Sequence, residues 1–549
     1  MLNEKEIFEL EAQLEAMKKR VAYAEKRALK IEEKYNKTIE EKEKLTKENE
    51  QLRQENKQIS DEYKFLKEQL LLSKKKIYGT SAEKIAEGYE QLNFFNEAEM
   101  ERTPLLPEPK IEEITYTRKK KSKKKSFEEK YGDLPVEEII VDVPDEEKLC
   151  KKCGEEMTFL RYEMRRELKI VPAKVSVVEY KKAVYVCRNC DKNGTESNFK
   201  TAQAFPALID HSIASPSIMA WVMHQKFCNA MPLYRQEQEF KRMGVKLNRS
   251  TLANWMIAGA KLLKPIYDEM HGELVSREIL HADETPLEVL KHPKHNGPLN
   301  AYMWVYRTSV HEEHPVILYK YEIGRSGDFA DKFLNGFKGY LHCDGWSGYD
   351  KVKGAQRCGC WAHLRRYFYN AFELQEDKND FGTPAGQALL MIGKIFSAEK
   401  LDPKKPAEKS SLSLDEIAEI RKDTSTKLAE EFFDFCEKQS SKCLPKSVLG
   451  KAISYALNQK ETLMRFIDDP RIELTNNAAE RAVKPFVIGR KNWLFCNTPS
   501  GADSSAVIYS LIESAKANGL DPYAYLEYVF EMLRTGCKVS RLLPWNVKI

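Results

Sequence analysis

Apolar or neutral residues recur at alternating spacings of three and four near the start of the chain. They run Ile7, Leu10, Leu14, Met17, Val21, Ala24, Ala28, Ile31 and Tyr35, then Thr38, Lys42, Leu45, Asn49, Leu52, Asn56, Ile59, Tyr63, Leu66 and Leu70. A period of about 3.5 residues held this long winds helices into a left-handed supercoil, so this stretch cannot be part of a globular core. Lys42, Asn49 and Asn56 share one seam position, and polar residues there favour a parallel, two-stranded register. A lone charged helix is the competing reading, but it would leave its stripe in water. Residues 1–74 are therefore predicted to form a coiled coil that makes the chain a homodimer.

The rest of the 549 residues is too long for a single core, and the chain should be modular. Residues 75–130 read as a linker, with Pro104, Pro107, Pro109 and the basic run Arg118 to Lys125, which is too polar to bury. Such a run can lie along phosphates without reading sequence, or serve as a solvated spacer. Residues 131–205 hold Cys150-x-x-Cys153 and Cys187-x-x-Cys190, two pairs that suit a four-thiolate zinc site; four free thiols are the alternative. The intervening 33 residues exceed the usual spacing and imply a projecting hairpin, with Lys174 to Tyr180 reading as strand. Four sulfurs leave no open position, which makes the zinc structural. Twelve cysteines in this pattern suit a reducing compartment. No apolar run approaches the ~20 residues of a membrane span, and no secretion signal is apparent. A soluble, cytoplasmic protein with no membrane partner is expected.

Residues 206–272 contain a helix from Leu233 to Met243, a turn at Gly244 to Leu247, and a second helix from Arg249 to Leu263 capped by Asn248 or Ser250. This is the size of a helix-turn-helix, with Arg249, Ser250, Thr251 and Asn254 at the start of the second helix; an ordinary helical hairpin has the same pattern. Residues 273–371 read as the first part of a mixed α/β domain. Glu278 to Pro286 is an apolar strand that ends on acids, and Gly339 to Gly345 is another. Isolated buried carboxylates are costly, so Asp283 and Asp344 should be paired, exposed or bound to metal. Ala301 to Tyr306 and Pro315 to Tyr319 read as hairpin strands, Asp328 to Leu334 as a helix, and Arg357 to His363 as a further strand before a helix. Residues 372–469 are a helical insertion, with helices over Asp415 to Lys438 and Ser447 to Ile467. Residues 470–498 return to the domain with Glu480 at a helix start, and residues 499–549 form a helical C-terminal segment over Ser504 to Asn518 and Pro522 to Leu533.

The runs HADETPLEVL, YLHCDGWSGYD, CWAHLRRYF and LTNNAAERAVKPFVIGRKNWLF resemble the insertion sequence 66 transposases, of the Asp-Asp-Glu type. The resemblance implies a multidomain α+β protein with a coiled coil, a zinc-ribbon-like module, a helix-turn-helix, and a ribonuclease-H-like core whose insertion lies beside the active site. It selects Asp283, Asp344 and Glu480 as the catalytic, metal-binding acids over Glu284, Asp350 and Glu473. It also favours DNA as the partner of the helix-turn-helix and a zinc-binding role for Cys150, Cys153, Cys187 and Cys190. Magnesium, or manganese, would be the catalytic cation, because carboxylate and phosphate oxygens suit it. His363, Arg365, Arg366, Arg481 and Lys484 would meet phosphate. Cys358, Cys360 and His363 have a metal-like spacing but suit core packing better. The implied function is DNA cleavage and strand transfer at the ends of an element in the bacterial nucleoid, with accessory proteins of the same element as further partners. A DNA-binding protein without activity is the other reading.

Overall fold

The computed structural model describes residues 4–78, 174–186, 199–202, 205–293, 295–375, 377, 380–401 and 410–549. The chain divides into two units, Met1–Gln91 with Val178–Ile549, and Leu92–Val177. The basic run and the four module cysteines lie outside the described residues.

Helix α1 (Glu4–Tyr78) is a single helix of 75 residues, about 110 Å long at 1.5 Å per residue. Its seam residues are exposed, among them Leu14, Val21, Ile31, Leu45, Leu52, Ile59 and Leu66. Asn49 and Asn56 each donate a side-chain amide hydrogen to the carbonyl four residues earlier.

Strand β1 (Val184–Val186) pairs antiparallel with β2 (Phe199–Thr201). Residues 174–180, read from sequence as strand, carry no assigned strand and are exposed. Among the described residues none pairs with them, and alternation alone does not make a strand without a ladder.

Three helices follow: α2 (Pro216–Phe227), α3 (Leu233–Arg242) and α4 (Arg249–Val275). The sequence reading ended α4 at Leu263, yet it runs on through Pro265. Its apolar spacing continues in Leu263, Ile266, Tyr267, Met270 and Leu274, all buried, and that burial offsets the hydrogen bond lost at proline. Asn248 occupies the cap position without a capping bond; Glu237 on α3 instead accepts from the Arg249 backbone N–H at 3.0 Å. The Tyr267 hydroxyl donates to the Tyr319 carbonyl at 2.9 Å, so α4 is built into the domain that follows.

That domain has a five-stranded mixed sheet in the order β5-β4-β3-β6-β7. Its strands are β3 (Ile279–Val289), β4 (Leu299–Thr308), β5 (Ile317–Glu322), β6 (Gly339–His342) and β7 (Ala355–Cys358). The first three are antiparallel neighbours, and β6 and β7 add parallel beside β3. Helix α5 (Gly327–Phe333) makes the crossover, and α6 (Trp361–Phe372) follows β7.

The insertion comprises α7 (Pro384–Ala398), α8 (Leu414–Ile420), α9 (Thr426–Ser440), α10 (Val448–Asn458) and α11 (Lys460–Met464). It shares with α6 a core of its own, including Trp361, Phe368, Ile392, Phe432, Phe433 and Ile453. Sequence joined α8 and α9 into one helix; a π-helical turn at Arg421–Ser425 interrupts it and brings Arg421 into the interior. The larger core gathers the sheet with α2, α4, α12 (Asn477–Trp493), α13 (Pro499–Ala517) and α14 (Pro522–Arg534).

Candidate active site

Strand β6 pairs with β3 only over Ile279 to His281. Asp283 lies just past that pairing, and its Oδ1 accepts from the Glu284 backbone N–H at 2.9 Å. Asp344 follows β6 by two residues and turns the chain, with Oδ1 accepting from the Trp346 N–H at 3.0 Å. Glu480 is in the first turn of α12. Burial, and after it the charges of Glu284, Glu480 and Asp344, push the Asp283 carboxyl up to about 8. The three predicted acids therefore share one field, although they come from positions spread over 198 residues of sequence.

Their oxygens suit a hard divalent cation. The Glu480 Oε1 atom is buried without a hydrogen-bond partner, and Asp283 is desolvated beside like charges, so the donor set fits such an ion. Among the described residues two other trios bring their donors closer, each with one ligand atom per residue within 4.8 Å of the others: His281, His342 and Glu473, and Cys360, His363 and Glu480.

His363 Nδ1 lies 3.7 Å from Glu480 Oε1, and an Arg366 nitrogen 3.9 Å from Oε2. Burial opposes charge on His363, but Cys360 and Glu480 outweigh it and hold the imidazole up at about 9. Both residues therefore flank the third acid. Arg365 sits over the Tyr369 ring at 5.9 Å. Arg481 and Lys484 are half-buried on α12, and both have interaction partners. Cys360 Sγ accepts from the Asn476 backbone N–H at 3.1 Å, whereas Cys358 is buried in β7 and belongs to no such trio. Arg249, Ser250 and Asn254 are exposed at the start of α4, with Thr251 half-buried.

Sequence reasoning missed Arg325. Its guanidinium pairs with Glu284, lies 3.6 Å from Asp344 Oδ2, and covers the Trp346 ring at 4.5 Å. Glu284 also accepts from the Tyr349 hydroxyl. Glu284, which the resemblance passes over, thus holds the cation that, among the described residues, ion-pairs with Asp344. Glu473, another rival, bonds to His281 Nε2 at 2.9 Å and accepts from Ser309 Oγ and Val310 N–H at 3.2 and 3.1 Å. Burial would raise its carboxyl, but His281 and His342 outweigh that and hold it well below the usual range. Burial and His281 push His342 down to about 3. Asp350 pairs with Arg357 at 2.8 Å.

Helix α12 is pinned to the sheet by Asn476 Nδ2 donating to the Ala282 carbonyl at 2.9 Å and Arg490 Nη1 to Thr285 Oγ1 at 3.2 Å. The insertion reaches the site through Tyr455 of α10. A Cβ on Gly345 would stand 2.6 Å from that ring, so glycine next to Asp344 is what lets α10 approach.

Comparison with known proteins places the chain by descent. A model of the transposase IS66 family matches residues 211–504, one of the IS66 C-terminal element matches 510–545, one of the zinc-finger binding domain of transposase IS66 matches 147–191, and one described as transposase C of IS166 homeodomain matches 65–139. Two proteins of Sinorhizobium fredii are similar: uncharacterized protein y4qI, 30% identical with 75% of this chain and 76% of that protein aligned, and uncharacterized protein y4hP, 27% identical with 76% of each. The mixed sheet, the gathered acids and the match over 211–504 define an insertion-sequence transposase with DNA-binding elements. The chain belongs to the transposase IS66 family. Membership implies a divalent cation and zinc as its metals. No helix among the described residues is long and apolar enough to cross a membrane.

Proposed function

We propose that the chain binds the ends of its element as a homodimer and cuts and joins DNA at Asp283, Asp344 and Glu480. The observation that carries this reading is the crowding of those acids, with Asp283 at about 8 and Glu480 Oε1 buried without a hydrogen-bond partner. The strand order, three antiparallel strands followed by two parallel ones, supports a ribonuclease-H-like core. Asp283, Asp344 and Glu480 would hold magnesium, two ions being the arrangement that suits phosphoryl transfer. Bound there, the cations supply activation of the attacking oxygen and stabilisation of the leaving one.

The chain's own groups do the rest. Asp283 and Asp344 are fixed by backbone N–H bonds, so neither needs to reorganise on binding DNA. His363 and Arg366 beside Glu480 offer positive charge to the phosphate oxygens that meet it, and guanidinium matches their geometry. Arg325 neutralises Glu284 and shares Asp344, and His363 and Arg366 flank Glu480, which leaves Asp283 as the acid of the three with no ion pair among the described residues. The test is nicking of a labelled element end: cleavage in magnesium or manganese, and binding without cleavage in calcium. Binding with no nicking under any of these cations, accessory proteins of the element included, would favour a protein that binds DNA and does no chemistry.

The exposed seam of α1 supports the dimer. Residues 1–72 alone should sediment as a dimer at micromolar concentration, and replacing Asn49 and Asn56 by Ile should raise the Tm while relaxing the choice of oligomer. A monomer would contradict it. The exposed start of α4 supports DNA reading there: Arg249→Ala should weaken end binding by about 10- to 100-fold and leave binding to unrelated DNA nearly unchanged. Equal losses on both DNAs would assign Arg249 to the phosphates instead.

A further inference from the structure

Three donors that the reaction does not use meet beside the acids. His281 on β3, His342 on β6 and Glu473 in the segment before α12 each bring a ligand atom within 4.8 Å of the other two. Both imidazoles are fully buried, and the Glu473 side chain is 14% exposed. The second nitrogen of each imidazole is already committed. Asn476 gives its amide hydrogens to the Ala282 carbonyl, so its Oδ1 faces His281 and accepts from Nδ1–H at 2.9 Å. His342 Nε2 donates to the Gly359 carbonyl at 3.0 Å. His281 Nε2 and His342 Nδ1 are left. The first faces Glu473 Oε2 at 2.9 Å, and the second is buried with no hydrogen-bond partner. On the carboxylate, Ser309 and Val310 hold the other oxygen, Oε1.

Histidines that donate one N–H to a protein oxygen and direct the other nitrogen at a shared point, beside a carboxylate with one oxygen tied back, have the layout of metal ligands and their supporting shell. A proton between His281 and Glu473 satisfies that pair, but it leaves His342 Nδ1 buried and unmet.

We propose that His281 Nε2, His342 Nδ1 and Glu473 Oε2 bind one zinc ion, a site separate from the three acids. Imidazole nitrogen and carboxylate oxygen together suit zinc better than magnesium, and the three donors fill three of the four positions zinc usually takes, leaving one for water. The placement gives it a purpose. His281 and His342 each stand two residues before a catalytic aspartate, and Glu473 stands seven before Glu480. One ion would tie together the three segments that carry the acids. The inference does not depend on the catalytic reading, because its donors are different and its readout is metal content.

Zinc is measured by mass spectrometry on the full-length chain, purified without chelator and gel-filtered. A Cys150→Ser, Cys153→Ser chain, deprived of its thiolate module, should keep one zinc ion per chain. Adding His342→Gln or Glu473→Gln should remove it, and adding Asp283→Asn should not. No zinc in the double-cysteine chain overturns the site and leaves a proton between His281 and Glu473. Loss of zinc with Cys360→Ser while His342→Gln retains it overturns the proposal too, placing the ion at Cys360, His363 and Glu480. Should the buried substitutions prevent folding, the double-cysteine chain and its Cys360→Ser derivative decide the matter, since both leave the proposed ligands intact.

Discussion

Asp283→Asn should abolish end cleavage and strand transfer, leave DNA binding intact, and raise the Tm in metal-free buffer. The carboxyl sits at about 8 in the folded chain against 3.8 ordinarily. Between those values the folded state holds a proton that the unfolded state has released, so the parent loses stability as pH rises from about 4 to 8 and is level beyond. The substitution removes a penalty that grows across that window to as much as about 5 kcal/mol. Below pH 4 parent and variant should melt alike; at pH 8 the variant should melt several degrees higher. Magnesium should close the gap by stabilising the parent alone. Calorimetry at pH 4, 6 and 8, with and without magnesium, checks each step. A gap that is constant with pH would show that Asp283 is not desolvated among like charges.

Arg421→Ala should be the most destabilising change in the insertion. Arg421 and Glu399 are 2% and 1% exposed and form a bidentate pair at 2.8 and 2.9 Å. The same guanidinium donates to the carbonyls of Phe466, Asp469 and Ile472, which lead into the Glu473 segment. Removing it strands a buried carboxylate and frees three carbonyls, a loss of about 3–5 kcal/mol. Hydrogen exchange should show protection falling in α7, α9 and α10 before the five-stranded sheet. Glu399→Gln should cost less, since it leaves no anion behind. Equal stability of Arg421→Ala and parent would mean that the pair is solvated in solution.

The strands were legible because each is a local signal, with apolar runs ending in acid at Asp283 and Asp344; the choice of those two and Glu480 over Glu284, Asp350 and Glu473 rested on the family resemblance, since local pattern does not separate them. The length of α4 was not, because Pro265 interrupts the local pattern and only packing shows that the helix continues. The π turn at Arg421 was hidden for a similar reason, since the partner it turns Arg421 towards, Glu399, lies 22 residues away in sequence. Arg325, Glu473 and Asn476 act through contacts 41 to 195 residues away in sequence. No periodicity records such pairings. Glu284 holds Arg325 against Asp344, so Glu284→Gln should lower nicking, and the exposed Glu531 is the control that should leave it unchanged.

The central claim is that Asp283, Asp344 and Glu480 act by holding the catalytic cations, and exchange of ligand softness tests it most directly. Asp344→Cys should bind end DNA like the parent and fail to nick it in magnesium, which binds sulfur poorly, yet regain cleavage in manganese or cadmium, which accept thiolate. Failure to nick with every cation, while Asp344→Asn nicks in magnesium at the parent rate, would contradict the account.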